Sequence, residues 1–121
     1  MTWPLRGKYA IIGYGETKVD RDREGKLSIE QYLVKAAHLA MESAGLTKKD
    51  FDDEGIGLME PQLVHPMWSA HIIQDLGLHP RVVLRSDHGG AGPGHLLEQA
   101  AAAIHAGLVD KVLVSRAESA K

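Results

Sequence analysis

An α/β fold with a mostly parallel sheet is what this sequence predicts, and three observations lead there. Short apolar runs rich in β-branched residues alternate with stretches of helical periodicity, glycine or proline stands at most of the junctions, and the intervening helices are about 10–15 residues long. Parallel neighbours need a return path of that length, and right-handed crossovers supply it. The order read along the chain is β-α-β-α-β-α-β.

The first run, "YAIIGYG" (9–15), reads as a buried strand ending in glycine, and "ETKVDRDREGK" after it is too charged to bury and reads as a surface loop. From Ser28 the pattern changes. Ile29, Tyr32, Leu33, Ala36, Ala37, Ala40 and Ala44 recur at spacings of three and four, and Gln31, Lys35, His38 and Glu42 fall opposite, which is an amphipathic helix. Ser28 and Gln31 have the spacing of a capping box, and Gly45 supplies a left-handed stop. Thr47 can cap one short turn in the polar connector that follows.

"IGLMEP" (56–61) reads as a strand halted by Pro61, because proline cannot continue a sheet interior. A second helix is expected from near His65, with Pro66 at its first position, Met67, Ile73 and Leu76 along it and Gly77 at its end. "RVVLRS" (81–86) is the third strand, Pro93–Ala106 the third helix and "KVLVSRAES" (111–119) the last strand. Nothing after that strand covers it, so the core looks unfinished, and the low bulk of Ala100–Ala103 suits a helix buried between layers.

Composition narrows the function classes. A chain of 121 residues makes one domain and buries roughly two-thirds of its unfolded surface. Its 14 Lys and Arg against 16 Asp and Glu form no basic stripe, which argues against nucleic acid. The absence of cysteine removes disulfides, thiolate metal sites and cysteine nucleophiles together. No apolar run approaches the roughly 18 residues of a membrane span, and the expectation is a soluble, cytoplasmic protein. Seven histidines invite a metal, yet no Asp/His/Glu trio has a ligand spacing, and none is expected. His38 and His71 fall on polar helix faces, and His105 sits where it meets the negative end of a helix dipole. Trp3 and Trp68 read as anchors or core edges rather than stacking platforms.

The most informative stretch is "DHGGAGPGH" (87–95), which joins a strand to a helix. It is open to two readings that share one geometry. Its glycines serve a tight turn, or its free amides form an anion or oxyanion site at the carboxyl end of a parallel strand. A P-loop is excluded, since His95 and Leu96 stand where Lys and Ser/Thr are needed. A dinucleotide fingerprint through Gly90, Gly92 and Glu118 is imperfect: the third glycine position is His95 and Pro93 lies inside the motif. Asp87 and His88 are the titratable pair of the loop. Either contacts substrate or acts as base, or Asp87 caps the turn and His88 shields the strand end.

Four features together resemble the thiolase superfamily in its N-terminal portion: "AIIGYGETKV", "AAHLAMESAGLTKKDFDD", the glycine loop leading into "AAAAIHAGLVDKVLVSRAES", and their spacing. The chain is similar in particular to sterol-carrier-protein-type thiolases and to thiolase-like acyl-CoA aldolases. The resemblance implies a partial N-terminal domain over residues 1–121, belonging to a longer chain. It places the family's reactive cysteine at Gly90 or its neighbour Gly89, where a thiol is missing and an acyl-enzyme cannot form. Glycine-rich loops without the cysteine occur in the aldolases, which implies a lyase of lipid metabolism that cleaves a β-hydroxyacyl-CoA by a retro-aldol reaction. Gly89, Gly90, Ala91 and Gly92 would then bind substrate, with Asp87 and His88 the candidates for the base. A coenzyme A thioester is the implied substrate, with no covalently bound cofactor. A homodimer and a zinc-ribbon/OB-fold partner subunit are the implied assembly, and the isolated 121 residues are expected to be inactive. Two other classes remain: a non-catalytic acyl-CoA- or lipid-binding scaffold subunit that needs a partner chain, and a dinucleotide-binding module.

Overall fold

The structure is a computed structural model and describes residues 4–18, 27–61 and 66–118. Three helices and three strands form the frame: α1 (Ile29–Ser43), β1 (Gly55–Met59), α2 (Trp68–Leu76), β2 (Val82–Ser86), α3 (Gly92–His105) and β3 (Val112–Ser115). The strands make one parallel sheet in the order β2-β1-β3. The α/β class and the parallel sheet are those expected.

β1 is buried at every position. The strand halted by Pro61 is therefore the centre of the sheet, and its alternation builds the layers. Ile56 and Leu58 point to one face, where Leu33, Ala37 and Met41 of α1 and Trp68, Ile72 and Leu76 of α2 close over them with Phe51 and Leu113. Gly55 and Gly57 point to the other, where α3 lies. A Cβ on Gly57 would come within 3.3 Å of Val114 and 3.5 Å of Leu96, so the missing side chains let α3 and the neighbouring valines settle close to the sheet.

Local signals mark most of the boundaries. Gln31 N–H donates to Ser28 Oγ at 3.2 Å and Ser28 N–H to Gln31 Oε1 at 2.8 Å, completing the expected capping box, and Gly45 takes φ +71°. A short 3-10 turn, Lys48–Phe51, follows; the Asp50 carboxylate accepts from Thr47 N–H at 2.7 Å, so the acid three residues on ties the turn. Gly77 ends α2 at φ +67°.

The second helix differs at its start. It begins at Trp68, with Met67 in the left-handed region at φ 58° and Pro66 in the preceding turn; His65 lies outside the described residues. Burial of Trp68, 1% exposed, takes precedence over proline's preference for the first helical position, and Trp68 is a core residue rather than an edge. α3 starts at Gly92, with a 3-10 turn over Gly89–Ala91 ahead of it.

The largest difference is at the N-terminus. The stretch 9–15 has no strand pairing, and Ile11, Ile12 and Tyr14 are 73%, 65% and 67% exposed. It lies extended on α1 instead, where Gly13 and Gly15 are pressed against Ala40. A strand needs a neighbour to pair with, and among the described residues the nearest sheet edge, β3, is separated from it by a cleft. The expected buried alanine helix is half right: Ala100, Ala101 and Ala103 are buried, while Ala102 and Leu97 on the other side face outward. Trp3 and Ser119 to Lys121 fall outside the described residues.

Candidate functional site

The two ends of the sheet are built differently. At the amino end, the Glu54 main-chain oxygen accepts from Arg81 N–H at 2.8 Å, and its carboxylate accepts from the Asp110 and Lys111 amides at 2.8 and 3.0 Å. Lys111 Nζ stands 3.6 Å away. One residue thus ties the entry points of all three strands. Burial pushes the Glu54 carboxyl upward, but the two amides and the lysine outweigh it, and the net shift is below the ordinary carboxylate value.

The carboxyl end carries the glycine loop and is far less satisfied. β2 ends at Ser86, Asp87 and His88 are exposed, the Gly89–Ala91 turn follows and α3 begins at Gly92. No side chain caps either helical start, and Asp87 bonds no described residue, so the expected Asp87 cap does not form. Gly92 N–H donates back to Gly89 C=O, and the i+3 pattern of the turn uses the Ala91 amide likewise. The Gly89 and Gly90 amides are left over, at the N-terminal end of a 14-residue helix and beyond the carboxyl end of a parallel strand.

The four loop glycines separate by what surrounds them. A Cβ on Gly92 would stand 2.9 Å from Met59 Sδ and 3.2 Å from Ser86 Oγ, so glycine is needed there for packing. Gly92 is buried in the floor of the loop rather than presented to solvent. Gly89 has φ +63°, which favours glycine whatever the space. Around Gly90 and Gly94 a Cβ would meet nothing within 4 Å, and neither has a left-handed backbone. The fold therefore explains two of these glycines and leaves the side chain at 90 sterically free.

Beside the loop stands a polar group that the sequence pattern did not single out as a unit. The His88 and His95 rings lie 4.8 Å apart between centroids, tilted by 34°, and His95 Nε2 is 3.1 Å from Gln99 Nε2. The His95–Gln99 spacing of four residues on one helix was a legible signal. The stacking of His88 on His95 was not, because it depends on how the turn folds back. Ser86 Oγ and Gln99 Oε1 are buried with no hydrogen-bond partner among the described residues. Among the described residues no three His, Asp or Glu side chains gather as a metal site would require, and no helix is long and apolar enough to cross a membrane.

The dinucleotide reading meets a topological obstacle. β2, α3 and β3 follow one another, but β1 lies between β2 and β3, so the fingerprint's paired strand-helix-strand unit is not formed.

A parallel α/β layer structure with a glycine-rich helix start beyond a strand's carboxyl end defines the class: an α/β protein with its candidate site at the sheet's C-terminal edge. Comparisons with known proteins make this specific. No family model matches the sequence. An acetyl-CoA acetyltransferase of Methanocaldococcus jannaschii is 33% identical over 111 residues, spanning 90% of this chain and 28% of that protein. A solved structure described as an Ltp2–ChsH2(DUF35) aldolase superposes with a TM-score of 0.68 at 25% identity, over 83% of this chain and 25% of the other. A monomeric SCP2-thiolase-like protein of Mycobacterium smegmatis gives a TM-score of 0.72 at 20% identity, over 92% of this chain and 23% of the other, a likeness of fold. The resemblance to the thiolase superfamily thus holds in sequence and in fold. The chain spans about a quarter of the length of these relatives.

Proposed function

We propose that this chain is the N-terminal part of a longer thiolase-like acyl-CoA enzyme that works without a nucleophilic cysteine, and that its reaction is retro-aldol cleavage of a β-hydroxyacyl-CoA. The observation that carries the reading is Gly90: the backbone there is ordinary and the surroundings are open, so packing gives no reason for a missing side chain, and the amide beside it has no partner among the described residues. The likeness to an acetyltransferase and to an aldolase supports acyl-CoA carbon–carbon chemistry.

The reaction needs no covalent capture. A base takes the proton of the β-hydroxyl, the Cα–Cβ bond breaks as that carbon becomes a carbonyl, and the electron pair forms a thioester enolate that is then protonated at Cα. The amides of Gly89 and Gly90 are placed to donate to the enolate oxygen, aided by the positive end of α3. The space at Gly90 admits the acyl chain. Asp87 and His88 are the loop's candidates for the base, with His95 and Gln99 holding the His88 ring in place. Gly92 acts from behind the loop, as packing.

The test uses the longer polypeptide read on past Lys121, supplied with a β-hydroxyacyl-CoA and followed by mass spectrometry of the shortened acyl-CoA and of the protein. Cleavage without any protein adduct is expected, Gly90→Trp abolishes it, and the 121-residue chain alone shows none. A thioester-linked adduct on the intact protein, or full activity in Gly90→Trp, overturns the proposal.

The exposed Ile11, Ile12 and Tyr14 favour one second reading, a non-catalytic scaffold or lipid-binding subunit completed by another chain. Sedimentation separates the two: a well-folded monomer with no affinity for acyl-CoA or vesicles counts against the scaffold.

A further inference from the structure

We infer that His88, rather than Asp87, is the base of the glycine loop, and that Gln99 fits it for the task by holding the His95 ring stacked on it in the neutral form. The inference rests on the retro-aldol reading, and names the group that moves the proton and the two residues that position it.

The two candidates are neighbours in sequence and are treated differently by the fold. Both are exposed, just beyond the carboxyl end of β2. Asp87 caps neither helical start and bonds no described residue, so nothing fixes where its carboxylate stands. His88 is held. Its ring lies 4.8 Å from the His95 ring, tilted by 34°, and His95 is half-buried on α3 next to Leu96, a fully buried anchor of that helix. A base works from a fixed place within hydrogen-bond reach of the proton it removes, and of the two side chains His88 alone has one.

Gln99 sets the state of the second ring. Its Nε2 is 3.1 Å from His95 Nε2, and an amide nitrogen donates and does not accept. His95 Nε2 therefore turns its lone pair to Gln99 and the ring hydrogen sits on Nδ1, which is a neutral tautomer. A proton added at Nε2 would set two donors against each other. Gln99 is one turn further along the same helix, and its Oε1 is buried with no hydrogen-bond partner among the described residues. An unsatisfied buried oxygen costs stability, and the fold carries that cost with the amide nitrogen facing the imidazole.

The consequence is electrostatic. His88 becomes an imidazolium when it takes the β-hydroxyl proton, and a second imidazolium stacked 4.8 Å away would oppose that charge. With His95 held neutral the opposition is removed, and His88 is the ring of the pair free to charge. The proton balance closes on the same group. Neutral His88 removes the hydroxyl proton, the oxygen's electrons form the new carbonyl, the Cα–Cβ pair passes into the thioester enolate, and the imidazolium returns a proton to Cα. The ring ends as it began.

The test has two parts. In the 121-residue chain, two-bond proton–nitrogen NMR correlations in alkaline solution read the tautomer of each neutral ring. His95 is expected as the Nδ1–H form in the parent and as a mixture of both forms in Gln99→Leu. In the longer polypeptide read on past Lys121, steady-state cleavage of a β-hydroxyacyl-CoA is followed. His88→Ala lowers kcat about a hundredfold or more, and Asp87→Asn lowers it far less. Gln99→Leu and Gln99→Glu each lower kcat about tenfold with KM unchanged. The Glu variant separates charge from support: its carboxylate still grips the His95 ring but accepts from Nε2–H and draws a proton onto it, so a merely supporting Gln99 would be replaced by Glu without loss. His95 in the Nε2–H form, parent-like kcat in either Gln99 variant, or a loss in Asp87→Asn as large as that in His88→Ala overturns the inference. A longer polypeptide that leaves the thioester uncleaved overturns the retro-aldol reading instead, and the tautomer still decides whether Gln99 holds His95 neutral.

Discussion

The amino and carboxyl ends of the sheet are made from the same three strands and treated in opposite ways. At the amino end Glu54 collects four backbone amides, those of Arg81, Val82, Asp110 and Lys111, and a lysine, with its polar atoms committed to the fold. At the carboxyl end two amides of the glycine loop, the Ser86 hydroxyl and the Gln99 side-chain oxygen are left without partners among the described residues. A group held in a full set of bonds stabilises the fold and has nothing left to offer a ligand. A group left over costs stability and is available. The difference supports the glycine loop as the proposed site without reference to any relative.

The contrast predicts a ladder of effects. Gly92→Val drives a branched side chain into Met59 and Ser86 and should cost about 2–3 kcal/mol, read as a lower urea midpoint; a midpoint matching the parent would mean the loop floor is not packed as described. Glu54→Gln comes next, at about 1–2 kcal/mol, because the amide oxygen accepts the same two bonds without the charge. Its pH dependence is more telling than its size. The folded-state pKa of Glu54 lies below the ordinary carboxylate value, so the parent's extra stability is present above that ordinary value and disappears as pH falls through the depressed pKa. Parent and variant should therefore converge in acid, and a gap that stays constant down the titration would remove Glu54 from that role.

Gly89→Ala, at φ +63°, should cost about 1 kcal/mol through backbone strain alone. Gly90→Cys is the smallest expected effect, within about 0.5 kcal/mol of the parent, since its surroundings are open. The introduced thiol should react readily with iodoacetamide, being exposed and next to a helix start. A large loss of stability there would turn Gly90 into a structural glycine like Gly92 and erase the distinction between them.

Much of this was legible beforehand. The capping box at Ser28, the glycine stops at Gly45 and Gly77, the strand-to-helix position of the glycine loop and the parallel α/β order are local grammar, and they recur in the structure because each depends on residues within one or two turns of chain. "YAIIGYG" shows the limit. Its composition is that of a strand, yet pairing is a property of two segments, and among the described residues no sheet edge meets it.

The sequence by itself determined where the chain turns, which helix faces are apolar, and that no cysteine stands in the loop. Only the tertiary structure decided which glycines are forced and which are free, because Gly90 and Gly92 look alike until Met59 and Ser86 are brought beside one of them. The physical reason is that close packing is set by atoms distant in sequence, and a missing side chain acquires meaning only from what would have occupied its place.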